Sequence, residues 1–178
     1  MTRLITRQDC LLLAIDFQER LMPAIHHGEH VKGNARRLIA AADLLDVPLL
    51  ATEQNSKGLG HSARGLLPPG TKVIGKMTFD ACAAPDFPAA LGEAQSVVVT
   101  GCEAHVCVLQ TVAGLIGLNR RVIVVRDAIG SRTTDSREAA IARMARFGAE
   151  IVTTEMVIFE WLGTATHPKF REVIALVK

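Results

Sequence analysis

Short apolar runs recur along the chain, each closing on polar or glycine residues and leading into a segment of helical period. Those at 11–16 (LLLAID), 48–52 (PLLAT), 72–75 (KVIG), 97–101 (VVVTG), 121–127 (RVIVVRD) and 150–154 (EIVTT) read as strands. Most are apolar on successive residues, which predicts burial on both faces, as in a parallel sheet between layers of helices. Between them, 30–46 carries Leu38, Ala41, Ala42 and Leu45 on one helical face and offers Arg36, Arg37 and Asp43 to solvent. Asp135 and Glu138 have capping-box spacing ahead of a helix over 136–147, and Gly148 is placed to end it. The segment 104–118 also reads as a helix, yet it has no Asp, Glu, Lys or Arg, so cover by the sheet and by a second subunit is expected. Residues 53–71, rich in Gly and Pro, predict a long loop of the kind that is commonly functional.

This alternation makes an α/β sandwich, and 178 residues suit one domain over 1–178. With 49% hydrophobic and 21% charged residues, the composition is globular. A net charge of +2 gives no electrostatic footprint for nucleic acid or an anionic membrane. No window approaches the ~18 apolar residues of a membrane span, and the apolar run in MTRLITRQDCLLLAID is short for a secretory leader. A cytoplasmic protein with neither nucleic-acid nor membrane partner is expected. Cys10, Cys82, Cys102 and Cys107 form no CxxC pair and read as reduced thiols; Cys82 is read as a packing residue.

In open α/β sheets ligands bind beyond the carboxyl ends of the strands. The residues there are Asp16, Glu53 and Gln54, Lys76, and Glu103 to Cys107. Taken singly, a cysteine in an apolar helix is a small core residue, an aspartate after a strand is a turn residue, and a lysine is a surface charge. Together at one sheet edge they suggest a nucleophilic thiol, Cys107, activated by a helix dipole, the Lys76 ammonium and the Asp16 carboxylate as proton acceptor. Phe17, Gln18 and Phe79 follow these positions closely and are expected, with Glu53, Gln54 and Glu103, to contact substrate. His105 lies two positions before Cys107 and so on another helical face, which favours a packing role. Cys102 and Cys107 lack two further ligands of matching spacing for zinc. His26, His27, His30 and His167 read as surface residues.

LLLAIDFQERL, ATEQNSKGLG, GKMTF, VVVTGCEAHVCVLQT, RVIVVRDAIGSR and AEIVTTEMVIFEWLG, in that order, resemble the isochorismatase-like cysteine hydrolases, in their small single-domain branch. The resemblance implies Asp16 as general acid/base, Lys76 as the family's lysine and Cys107 as nucleophile. It also implies a cis peptide at Cys102–Glu103 and an oxyanion hole of the backbone amides of Glu103 and Cys107. The expected architecture is a three-layer α/β/α sandwich around a mostly parallel six-stranded sheet, order 3-2-1-4-5-6, in a homo-oligomer. The related nicotinamidases hold a metal through an aspartate and two histidines after the second strand. Here that place has Glu53 and one histidine, His61, so neither metal nor other cofactor is expected. The implied reaction is hydrolysis of a small amide or related C–N acyl compound through a thioester. The alternatives are a non-catalytic scaffold of the same fold and a thiol redox sensor pairing Cys107 with Cys82 or Cys102.

Overall fold

Uninterrupted apolar runs become fully covered strands. In the computed structural model, which describes residues 4–178, every residue of β1 (Cys10–Ile15) and β4 (Ser96–Cys102) is buried. With β2 (Leu49–Gln54), β3 (Lys72–Lys76), β5 (Arg121–Gly130) and β6 (Glu150–Val152) they form one sheet in the order β3-β2-β1-β4-β5-β6. Every pairing is parallel. Successive strand residues face opposite cores: Leu12 and Ala14 one, Leu11, Leu13 and Ile15 the other. The first core is closed by α1 (Gly28–Leu44), α6 (Thr154–Leu162) and α7 (Phe170–Ile174), the second by α3 (Phe87–Leu91), α4 (Leu109–Gly117) and α5 (Thr134–Arg146). A single turn, α2 (Ser56–Leu59), follows β2. Among the described residues no helix is long and apolar enough to cross a membrane.

Several boundaries differ from the sequence reading for local reasons. The cap of α5 is Thr133, whose hydroxyl accepts from the Ser136 amide at 3.2 Å, and not the expected Asp135–Glu138 box. Glu138 instead pairs with Arg126 and Arg137. Gly148, at φ 101°, follows the end of that helix. The last strand stops at Val152 because Thr153 caps α6 through the Met156 amide. The expected helix 104–118 begins with a π-helical turn, Ala104–Val108, before continuing as α4. Its outer side is only partly covered: Leu118 is 47% exposed. Part of loop 53–71 is stitched to the chain after β1, with Arg20 N donating to Leu59 O, Glu19 N to His61 O and Ala63 N to Phe17 O at 2.7–3.1 Å.

Candidate active site

Strand register sets the site. Ile15 lies level with Thr52 on one side and Gly101 on the other, while Gln54 lies level with Lys76, so the carboxyl ends of the four strands β3, β2, β1 and β4 converge. Because Leu50 faces the α4 side and Ala51 the α1 side, Thr52 and Gln54 project toward α4 and Glu53 projects the opposite way.

Asp16 leaves β1 in the left-handed region, φ 51°, a conformation an aspartate tolerates better than most residues. The turn drives its carboxylate into the protein, 0% exposed. There Oδ1 accepts from Thr52 Oγ1 at 2.6 Å and Oδ2 from Lys76 Nζ at 2.7 Å. Both side chains of this ion pair are completely buried. The ammonium also donates to Gln54 Oε1 at 2.8 Å.

The π-helical turn carries Cys107 to the same place. The Glu103 carbonyl accepts the amides of both Val106 and Val108, the widened spacing typical of such turns, which recur at functional sites. Cys107 Sγ lies 4.0 Å from Gln54 Oε1, the same oxygen that accepts from Lys76 Nζ, which sets the sulfur beside the Asp16–Lys76 pair. The Cys102–Glu103 peptide ahead of the turn is cis. Gly101, at φ 144°, allows the close approach of β4 to β1, since a Cβ there would lie 2.2 Å from the Ile15 carbonyl oxygen.

The electrostatics set the resting state of the sulfur. Burial, and after it the Asp16 charge, pushes the Cys107 thiol up to about 12, and the opposing pull of Lys76 is too weak to reverse this. At neutral pH the resting sulfur is therefore a thiol.

The expected substrate contacts divide. Phe79, after β3, is 50% exposed, whereas Glu103 is largely covered, its carboxylate meeting Arg132 Nε at 2.8 Å. Phe17 does not wall a pocket: it is buried in the α1-side core. Gln18 is wholly buried and spends its carboxamide on the backbone of Gln54 and Gly60. Glu53 faces away from Cys107 and clamps the loop through the Ser62 amide and hydroxyl and His61 Nδ1, at 2.6–3.0 Å. Burial alone would raise its pKa, but these donors together hold it below the usual value. His105 meets Ser131 Oγ at 3.0 Å. Thr52 went unnoticed in the sequence, although alternation along β2 would have paired it with Gln54.

All four cysteines are free. Cys102 faces the α1-side core against Met22 and Cys107 the α4-side core, so the two thiols sit on opposite faces of the sheet. Among the described residues no three His, Cys, Asp or Glu side chains are grouped to hold a metal.

Known proteins resemble this chain in sequence or in fold. Isochorismatase domain-containing protein 1 of Danio rerio is 37% identical over 166 residues, 92% of this chain; the chain spans 59% of that relative's length. Isochorismatase domain-containing protein 2A of Mus musculus is 34% identical over 174 residues, covering 96% of this chain and 84% of the relative. A structure described as MAR1 ribonuclease from Caenorhabditis elegans superposes with a TM-score of 0.93 at 37% identity, over 98% of this chain and 92% of that one. The isochorismatase domain itself matches residues 10–156, from the start of β1 into α6, and the chain belongs to the isochorismatase domain family, with its hydrolase fold.

Proposed function

We propose that the chain is a cysteine hydrolase that cleaves a small amide, or a related C–N acyl compound, through a thioester on Cys107. The observation that carries the reading is the wholly buried Asp16–Lys76 ion pair beside a thiol at the carboxyl edge of the sheet, the two joined through Gln54 Oε1. Burying two charges is expensive, and a well-packed apolar pair is often as stable or more so, so a scaffold gains little from it. A redox sensor needs an accessible thiol of low pKa. Burial raises all four here, Cys10 to about 11 and Cys82 and Cys107 to about 12.

In this reading Asp16 takes the Cys107 proton as sulfur adds to the substrate carbonyl. The oxyanion rests on the backbone amides of Glu103 and Cys107, where one donor is worth ~10²–10³ in rate. Protonated Asp16 gives its proton to the departing amine as the C–N bond breaks, leaving a thioester and free amine. Water, deprotonated by Asp16, adds to the thioester; the acid departs and Cys107 recovers its proton. Lys76 stays an ammonium throughout, holding Asp16 in place and opposing the negative charge at sulfur. In this reading Phe79 and Glu103 contact the substrate. The steps require no cofactor, and the substrate is a small molecule.

The test is amine release from a panel of small amides by the wild type and by Cys107→Ala, with RNA cleavage as a parallel arm because the C. elegans relative is described as a ribonuclease. Amine release that falls at least ~10³-fold in the variant is expected. Undiminished turnover by Cys107→Ala, or RNA cleavage that does not need Cys107, overturns the proposal.

A further inference from the structure

Gln54 is the one uncharged side chain bonded to the Lys76 ammonium among the described contacts, and its geometry is fixed from every side. Its Nε2 donates to the Met77 carbonyl at 2.8 Å, which orients Oε1 toward Lys76 Nζ, also at 2.8 Å. Its own amide donates to Gln18 Oε1 at 2.8 Å, and its carbonyl accepts from Gln18 Nε2 at 2.9 Å. Gln18 Nε2 is shared with the Gly60 carbonyl at 2.7 Å, so the tip of β2 cannot shift without loosening the loop beyond it. An ammonium has three N–H donors. Two are taken, by Asp16 Oδ2 and Gln54 Oε1, and the same Oε1 lies 4.0 Å from the Cys107 sulfur, which places the sulfur beside the ammonium.

We propose that Gln54 is a positioning residue for the Cys107 reaction: its neutral carboxamide oxygen steers the Lys76 ammonium so that one N–H faces the sulfur, without drawing off the charge. The inference rests on the hydrolase reading above and deepens it. Neutrality is the point of the choice. A carboxylate at this position would compete with Asp16 for the same ammonium and place a second negative charge beside Cys107, whereas an apolar side chain would leave the ammonium one acceptor short and free to turn.

Two variants separate these roles. Gln54→Glu keeps the shape and adds the charge, while Gln54→Met keeps the length and removes the acceptor. Losing one hydrogen bond to a charged group corresponds to a ~10- to 100-fold fall in rate. That fall is expected in kcat for Gln54→Met, and one of about tenfold for Gln54→Glu from the added charge, with KM changed less than about threefold, because the carboxamide is spent on Lys76 and the Met77 carbonyl. A readout independent of turnover is iodoacetamide alkylation of Cys107, followed on the peptide that carries it at a fixed pH of about 8.5. Gln54→Glu is expected to slow it about tenfold, equivalent to one unit on the thiol pKa. Alkylation at the wild-type rate in Gln54→Glu, or a raised KM with unchanged kcat in Gln54→Met, overturns the proposal. If the wild type hydrolyses no amide, the slowed alkylation still upholds the placement of Gln54 and it is the hydrolase reading that fails.

Discussion

Replacing Lys76 by methionine removes an ammonium 2.7 Å from the Asp16 carboxylate in a place where neither side chain touches solvent. At that separation and an effective dielectric near 20, the pair attraction is ~6 kcal/mol, set against the desolvation of both charges. Removing one partner forfeits the attraction and leaves the other charge buried, which costs about 3–5 kcal/mol. Asp16→Asn does the same from the other side, stranding Lys76 with Gln54 as its remaining acceptor. The double variant Asp16→Asn/Lys76→Met strands no charge, so its cost is expected to be smaller than the sum of the singles by at least ~2 kcal/mol. Urea unfolding reads this directly: for a slope of about 2 kcal/mol per molar, each single lowers the midpoint by ~1.5–2.5 M. Single variants that each lose less than ~1 kcal/mol, or a strictly additive double, would refute the idea that these charges are buried for each other.

Three further outcomes follow from named positions. Free thiols ionise near pH ~8.5, while Cys10, Cys82 and Cys107 stay protonated to about 11, 12 and 12 in the fold. Stability is therefore complete below about pH 8 and falls as pH rises beyond it, because only the unfolded chain releases these protons. The slope reaches up to ~1.4 kcal/mol per pH unit for each fully buried thiol, and a flat urea midpoint between about pH 8 and 10.5 under reducing conditions contradicts it. Gly101→Ala places a Cβ 2.2 Å from the Ile15 carbonyl oxygen at φ 144°, so a loss of ~2–5 kcal/mol and a Tm lower by roughly 5–15 °C are expected. A calorimetric shift under about 2 °C contradicts the close approach. Met77, Phe79 and Leu118 are 73%, 50% and 47% exposed, and we propose that a second copy of the chain covers some of these apolar side chains. Sedimentation at micromolar concentration is expected to give an oligomer, and a monomer contradicts it.

The sheet was legible because its strands are covered on both faces: no polar alternation interrupts LLLAI or SVVV, and a run of that length with turn residues behind it has few other readings. The site positions were legible for a topological reason, since residues after parallel strands gather at one edge whatever their side chains do. What a single sequence conceals is which way each one points. Glu53 and Gln54 are neighbours at the tip of β2, yet one clamps a loop and the other holds Lys76, and only the register of β2 against β1 and β3 decides between them. The π-helical turn at Ala104–Val108 was hidden as well, because its apolar residues suit an ordinary helix. Helix α6 carried a signal that could have been used: Thr153 at the N-terminal cap and Gly163 just past the end. The state of the Cys107 thiol lay furthest from the sequence, because burial and the Asp16 charge outweigh Lys76 only once all three side chains have been placed.

The most direct measurement is the mass of the Cys107 peptide after rapid acid quench during amide turnover. The expected result is a gain equal to the substrate acyl group less one hydrogen, on Cys107 alone, appearing with the first equivalent of amine and lost on completion. Sustained amine release with Cys107 unmodified at every quench time, and unimpaired in Cys107→Ala, contradicts the thioester route.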